Sequence, residues 1–287
     1  MSGSREAEPE LTARETAQVE RANVSSRTPV VFIHGLWALS NVWDEWVGYF
    51  EEAGYIALTP GWPDDPATVA EARERPAAFA GKRVERLASH LEAVSGRLGR
   101  KPVVVGHSFG GLLAQIFAGR GRAAVSVAIS PAPFRGVLPV PISMARSALP
   151  VLRNPANRRR AVSLTYEQFR YSVANATYEG EAEELFARYA VPAGGRALFQ
   201  DALANINPWT EARVDSKNPA RGPLLIIAGA KDRFIPSAVT RSAYKHQRRN
   251  GAVTEFAELP GRGHSLTIDA GWREVAETAL GFIRRFE

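Results

Sequence analysis

The sequence predicts an α/β fold: a mostly parallel central sheet flanked by helices, with an inserted helical cap. Three observations predict it. Short apolar runs of strand length alternate along the chain with stretches whose apolar residues recur at helical spacing. One of these runs ends in a glycine-rich turn that opens directly into a helical stretch. One interval between adjacent strand candidates is far longer than a crossover helix and two loops require.

Taken in order, residues 1–28 are rich in Glu, Arg, Ser and Thr and lack the apolar core of a secretory signal; they read as a disordered or loosely attached tail of a cytoplasmic protein. Strands are expected at Val30–Ile33, Tyr55–Thr59, Val103–Val105, Val125–Ile129, Leu224–Ala228 and Val253–Leu259. Between the first two, Val42, Trp43, Trp46, Val47 and Phe50 form one face of a helix, and Val84, Leu87, Leu91, Val94 and Leu98 form another before the third strand. A closing helix carries Trp272, Val275, Ala276, Ala279, Leu280 and Ile283 on one side. Residues 29–130 and 223–287 therefore constitute the expected core.

The interval 131–222 is the expected cap, including the crossover to the next strand. Thr165 with Gln168 three residues later makes a capping-box helix start, and further helices are expected at Glu181–Tyr189 and Arg196–Asn205. The Pro-rich entry through Pro139, Pro141 and Pro150, with Arg153-Asn154-Pro155, reads as hinge and rim. Phe134, Leu138, Ile142, Met144, Tyr166, Phe169, Phe186, Tyr189 and Phe199 offer apolar material for a pocket roof.

The turn Gly106-His107-Ser108-Phe109-Gly110-Gly111 lies where a strand meets a helix, and the glycines leave room for Ser108 to take a strained backbone with its hydroxyl projecting from the sheet. A serine hydroxyl is a weak nucleophile at neutral pH and needs a base to take its proton. His264, in Gly261-Arg262-Gly263-His264 after the last strand, is the candidate base. Asp232, just beyond the fifth strand, is the candidate carboxylate to orient and charge-compensate the imidazole. Asp215 precedes its strand and Asp269 follows the histidine, so both are weaker candidates. The oxyanion formed on attack needs backbone donors. The Phe109 amide follows the nucleophile, and the Leu36 amide lies in the loop after the first strand. Trp37 and Phe134, each just past a strand end, are the expected substrate-binding residues. His34 is expected to organise the Leu36 loop and His107 to be structural.

His34-Gly35, the Ser108 turn, Gly229-Ala230-Lys231-Asp232 and Gly263-His264 together resemble the stations of the α/β-hydrolase family, over about residues 29–286. The resemblance implies a serine-nucleophile enzyme of the esterase or lactonase type, cleaving carboxylic esters or lactones through an acyl-serine intermediate without cofactor. The same family includes cofactor-free lyases, perhydrolases and non-catalytic ligand receptors, which stay open as alternatives. Family members with an aspartate nucleophile are disfavoured by Ser108, and plant-type hydroxynitrile lyases by Ser265, where they carry lysine. Thr59-Pro60-Gly61-Trp62-Pro63 departs from the Asp-x-Arg-Gly common in the family here, implying a less typical bacterial branch.

Composition excludes other classes. With no cysteine there are neither disulfides nor thiolate metal sites, and the five histidines lack ligand spacing, so no metal is expected. No apolar stretch has the length of a membrane span. The net charge of +6 and pI of 9.8 are modest, and the Arg158-Arg159-Arg160 and Arg248-Arg249 clusters lie outside any nucleic-acid-binding module, so no nucleic-acid partner is expected.

Overall fold

The structure is a computed structural model in which residues 10–287 are described. Six strands form one sheet: β1 (Pro29–Ile33), β2 (Ile56–Leu58), β3 (Val103–His107), β4 (Ser126–Ile129), and, beyond the long insertion, β7 (Leu224–Gly229) and β8 (Thr254–Leu259). Their order is β2-β1-β3-β4-β7-β8, and every pairing is parallel. The apolar runs follow from burial on both faces. Val30, Phe32, Val103, Val105, Leu225 and Ile227 belong to one core cluster, while Val31, Ile33 and Val104 belong to the cluster on the other side.

On the first face pack α2 (Asp44–Glu52), through Trp46 and Phe50, and the closing α11 (Trp272–Ile283). The second receives α4 (Val84–Gly96) and α5 (Phe109–Gly119), the helix that follows the Ser108 turn. A short α3 (Val69–Glu74) precedes α4, and α10 (Ser237–Gln247) crosses from β7 to β8. β2 and β8 are the edge strands, and on β8 the exposed side is occupied by charge: Glu255 pairs with Arg285, and Glu258 with Arg241.

The loose-tail expectation for residues 1–28 is corrected over the described part. Residues 13–24 form a helix, α1 (Ala13–Val24), opened by a Thr12–Glu15 capping box. It is docked by Val19 and Ala22, which join the second core, and by Glu15, whose carboxylate meets His90 of α4 at 2.8 Å. Residues 1–9 lie outside the described residues.

Between β4 and β7 run α6 (Ile142–Leu152), β5 (Ala161–Val162), α7 (Tyr166–Ser172), α8 (Glu179–Tyr189), β6 (Ala193–Gly194) and α9 (Gly195–Ala202), with β5 and β6 paired antiparallel. Thr165 and Gln168 make the expected capping box. The Pro-rich hinge reading is corrected at α6. Pro141 is its N-cap, where no donor is needed, and Pro150 falls in its final turn, so neither breaks the helix body.

Candidate active site

Ser108 sits between β3 and α5 with φ 56° and ψ −119°, a conformation L-residues rarely adopt. The surroundings hold it there. Its amide donates to the Ile129 carbonyl, and its own carbonyl accepts from Gly111, Leu112 and Ala132. The turn closes only because its flanks lack side chains. A Cβ at Gly106 would lie 2.1 Å from the Gly110 carbonyl oxygen, and one at Gly110 would lie 2.1 Å from that of Ile33. Strain of this kind costs on the order of 1–3 kcal/mol and clusters at functional sites.

Loops after β7 and β8 bring the other two candidates to it. His264 Nε2 lies 3.0 Å from Ser108 Oγ, and its Nδ1 lies 2.7 Å from Asp232 Oδ2. The second Asp232 oxygen accepts from the Phe234 and Ile235 amides, both at 2.8 Å. All three side chains are buried. An Nδ1–H held by a carboxylate leaves Nε2 as the free acceptor facing the serine hydroxyl. The Phe234 ring stands edge-on to His264 at 5.0 Å, and the His107 ring lies 4.8 Å away on another side. Burial, followed by the nearby His264, pushes His107 well below its ordinary range, in the direction of the neutral imidazole. The stretch after α7 ties both loops down: Ser265 donates its amide to the Val173 carbonyl, and Asn175 donates its side-chain amide to the Lys231 carbonyl.

Asp215 and Asp269 are elsewhere. Asp215 is exposed and accepts from the Lys217 amide. Asp269 is bound by Arg262, by Ser265 Oγ and by the Gly271 amide.

Leu36 and Phe109 both border the space over Ser108, and among the described residues neither amide donates to another backbone group. The Leu36 loop is braced from behind: the His34 ring stacks on Trp62 at 4.4 Å, with Nε2 3.2 Å from Asp65 Oδ2, and Asp65 is also bound by buried Lys82. Burial alone would raise the Asp65 carboxyl, but His34 and Lys82 outweigh it and hold the group below its ordinary range. The sequence offered no signal for the Asp65–Lys82 pair.

Two narrow apolar chambers meet at Ser108, sharing Leu36, Ser108 and Phe234 as walls. The first, about 40 Å³, contains His264 with Trp37, Val42, Phe169, Val173 and Tyr189. The second, about 20 Å³, contains Phe109 with Ala132, Met144, Ala148, Leu198 and Asp201. Trp37 is thus at the site, its indole N–H fixed by the Val162 carbonyl at 2.9 Å. Phe134 is not. Ser130 takes a positive φ of 40°, the chain turns, and it is Ala132 that faces Ser108, while Phe134 is buried against His246 in the second core. Of the expected roof residues, Met144, Phe169 and Tyr189 line the chambers, whereas Leu138 and Ile142 face solvent. Phe234 and Asp201 were missed by sequence reasoning. Phe234's place two residues beyond Asp232 was the available clue. A larger cavity, about 790 Å³, lies between the start of α1 and residues 61–67 and contains none of Ser108, His264 and Asp232. Among the described residues, no helix is long and apolar enough to cross a membrane.

Comparisons with known proteins agree with this architecture. A monoacylglycerol lipase from Paleococcus ferrophilus superposes with a TM-score of 0.63 at 18% identity, over 90% of this chain and 95% of that one. A methylesterase from Arabidopsis gives 0.64 at 15% identity, over 90% and 99%. A pyrethroid hydrolase from Sphingobium faniae gives 0.63 at 18% identity, over 90% and 98%. At such identities the likeness is one of fold. The search of curated proteins gave no match. The family model described as "Alpha/beta hydrolase family" matches residues 30–278, nearly the whole of the parallel sheet, its helices and the long insertion, and on that match the chain belongs to the alpha/beta hydrolase family.

Proposed function

We propose that the protein is a serine hydrolase that cleaves carboxylic esters or lactones through an acyl-serine intermediate, with the 131–222 segment as its cap. The observation that carries this reading is the unbroken hydrogen-bonded series Asp232–His264–Ser108, ending on a serine held at positive φ. As Ser108 Oγ attacks the substrate carbonyl, its proton passes to His264 Nε2, and Asp232 stabilises the imidazolium. The oxyanion is received by the Leu36 and Phe109 amides, each such donor contributing typically about 3 kcal/mol to the transition state. Collapse breaks the bond to the leaving oxygen, which takes the proton back from Nε2. Water then repeats the sequence on the acyl-serine, releasing the acid and free Ser108. The apolar chamber walls favour ester and lactone groups over charged ones.

The test is a chromogenic short-chain ester mixed rapidly with stoichiometric enzyme. A burst of one alcohol per chain is expected, together with labelling of Ser108 by a fluorophosphonate. Absence of turnover across an ester and lactone panel, with Ser108 unlabelled, would reject the reading.

A further inference from the structure

Asp201, near the end of α9, is the one ionisable side chain of the second chamber, whose other walls are apolar apart from Ser108. It is 7% exposed, and its Oδ1 has no hydrogen-bond partner among the described residues. No arginine, lysine or histidine is paired with it there, in contrast to Glu15, Asp65, Asp232 and Asp269. Buried polar groups in folded chains are nearly always satisfied, and an orphan costs free energy unless something outside the chain completes it. The usual structural explanation for a buried carboxyl, a hydrogen bond holding two elements together, does not apply to this one.

The chamber also has an assigned half of the substrate. Whatever leaves from the acyl carbon must collect its proton from His264 Nε2, and His264 lines the first chamber, not the second. The alkoxy side of an ester therefore extends into the first chamber, and the acyl chain into the second, beside Phe109 and Asp201.

We infer that Asp201 is a specificity-determining residue that recognises a hydroxyl or carbonyl oxygen carried on the acyl chain, so that the preferred substrates are oxygenated acyl esters or their lactones. This rests on the serine-hydrolase reading above. Burial pushes the carboxyl well above its ordinary range, in the direction of the neutral form, and a neutral carboxyl has one O–H to donate and a carbonyl oxygen to accept. A substrate hydroxyl matches both, and a ketone or lactone carbonyl matches the donor. A plain alkyl chain would fill the same space and leave the carboxyl unpaired, which is how a polar site rejects an analogue lacking its partner group. Met144, unbranched and adjacent, is the wall best able to shift as the chain enters.

The experiment compares chromogenic hexanoate esters in which a hydroxyl is moved one carbon at a time along the chain with unsubstituted hexanoate. At one position the wild-type chain should prefer the hydroxylated ester by roughly ten- to a hundredfold in kcat/KM. Asp201→Leu should reverse that order, and Asp201→Asn, which can still donate and accept, should keep part of it. Ratios within one preparation do not depend on how much of a variant folds. The relative rates at which hydroxyalkyl and alkyl fluorophosphonates label Ser108 give a second readout of the same preference. No preference in the wild-type chain, or a preference that survives Asp201→Leu, would overturn the inference. So would a preferred aminoacyl ester, which would require an ionised Asp201. If Ser108 is labelled and esters are cleaved without such selectivity, this inference alone falls; if there is neither cleavage nor labelling, the parent reading falls and takes this one with it.

Discussion

His34 follows β1 and His264 follows β8, strands on opposite sides of β3 in the sheet, and each lies against an aspartate whose side chain is largely enclosed. Asp232 is satisfied by two backbone amides and His264, and among the described residues no lysine or arginine is paired with it. Asp65 is shared between His34 and Lys82, so its charge is already balanced by a cation. The far nitrogen of His264 faces a hydroxyl, whereas His34 Nδ1 faces the carbonyl of Gly35, 2.9 Å away. On the proposed mechanism, the same pair of residue types makes a proton-transfer site where the acid has no other counter-charge, and a brace where it has one.

The strongest way to break this contrast is to neutralise each acid. Asp232→Asn should lower kcat by about 10⁴-fold and Ser108→Ala by about 10⁶-fold, with the folded far-UV spectrum intact. Asp65→Asn should reduce kcat far less, and equal losses in folded protein would abolish the distinction. Next comes Lys82→Met, which strands Asp65 without its cation. It should cost about 3–5 kcal/mol of stability by urea titration, and a loss near zero would mean that His34 alone balances Asp65.

Gly35→Ala sharpens the comparison at its midpoint. The new Cβ would lie 3.0 Å from Ser108 Cβ and 3.2 Å from the His107 carbonyl oxygen, displacing the Leu36 amide from the nucleophile. A loss of about 100-fold in kcat/KM with little change in Tm is expected. The smallest effect concerns acid. Glu15 would be raised by burial, but His90 and the Thr12 amide hold it below its ordinary range. A carboxylate depressed in the folded state contributes stability above its unfolded value of 4.5, lost as pH falls through the lower folded value. Glu15→Gln should therefore flatten the dependence of stability on pH below 4.5, leaving that above pH 6 parallel to wild type; an unchanged acid slope would show that the α1 contact does not contribute.

Legibility in the sequence followed burial and chain proximity. The six strands are readable because both faces of each interior strand are covered, which leaves few polar positions to blur the runs. Ser108, Asp232 and His264 are readable because each follows a strand at a turn with its own glycines. α1 was not readable: it docks largely through polar side chains, Arg14 on Ser40 and Thr59 and Glu15 on His90, whose partners lie far along the chain. Asp201, within the helix expected at 196–205, was not readable, since nothing local reveals that it shares a chamber with Met144, Ala148 and Phe234. Phe134 was misplaced because the positive φ at Ser130 depends on the neighbouring strand and cannot be read from the residue itself.

The bonds from Val173 and Asn175 to the loops bearing His264 and Asp232 have a consequence for traffic. The two chambers hold a few waters at most, so any substrate must enter by displacing a wall. A gate on the α7 side would pull on the fastening that keeps the histidine aimed, so the protein would be disarmed whenever that door stood open. A gate on the α6–α9 side, where Met144 and Leu198 form the wall, is tied to the loop bearing Asp232 by Ser147 Oγ on the Arg233 carbonyl at 3.4 Å, but among the described residues by no hydrogen bond to the loop bearing His264, so it would leave His264 in register while the substrate arrives.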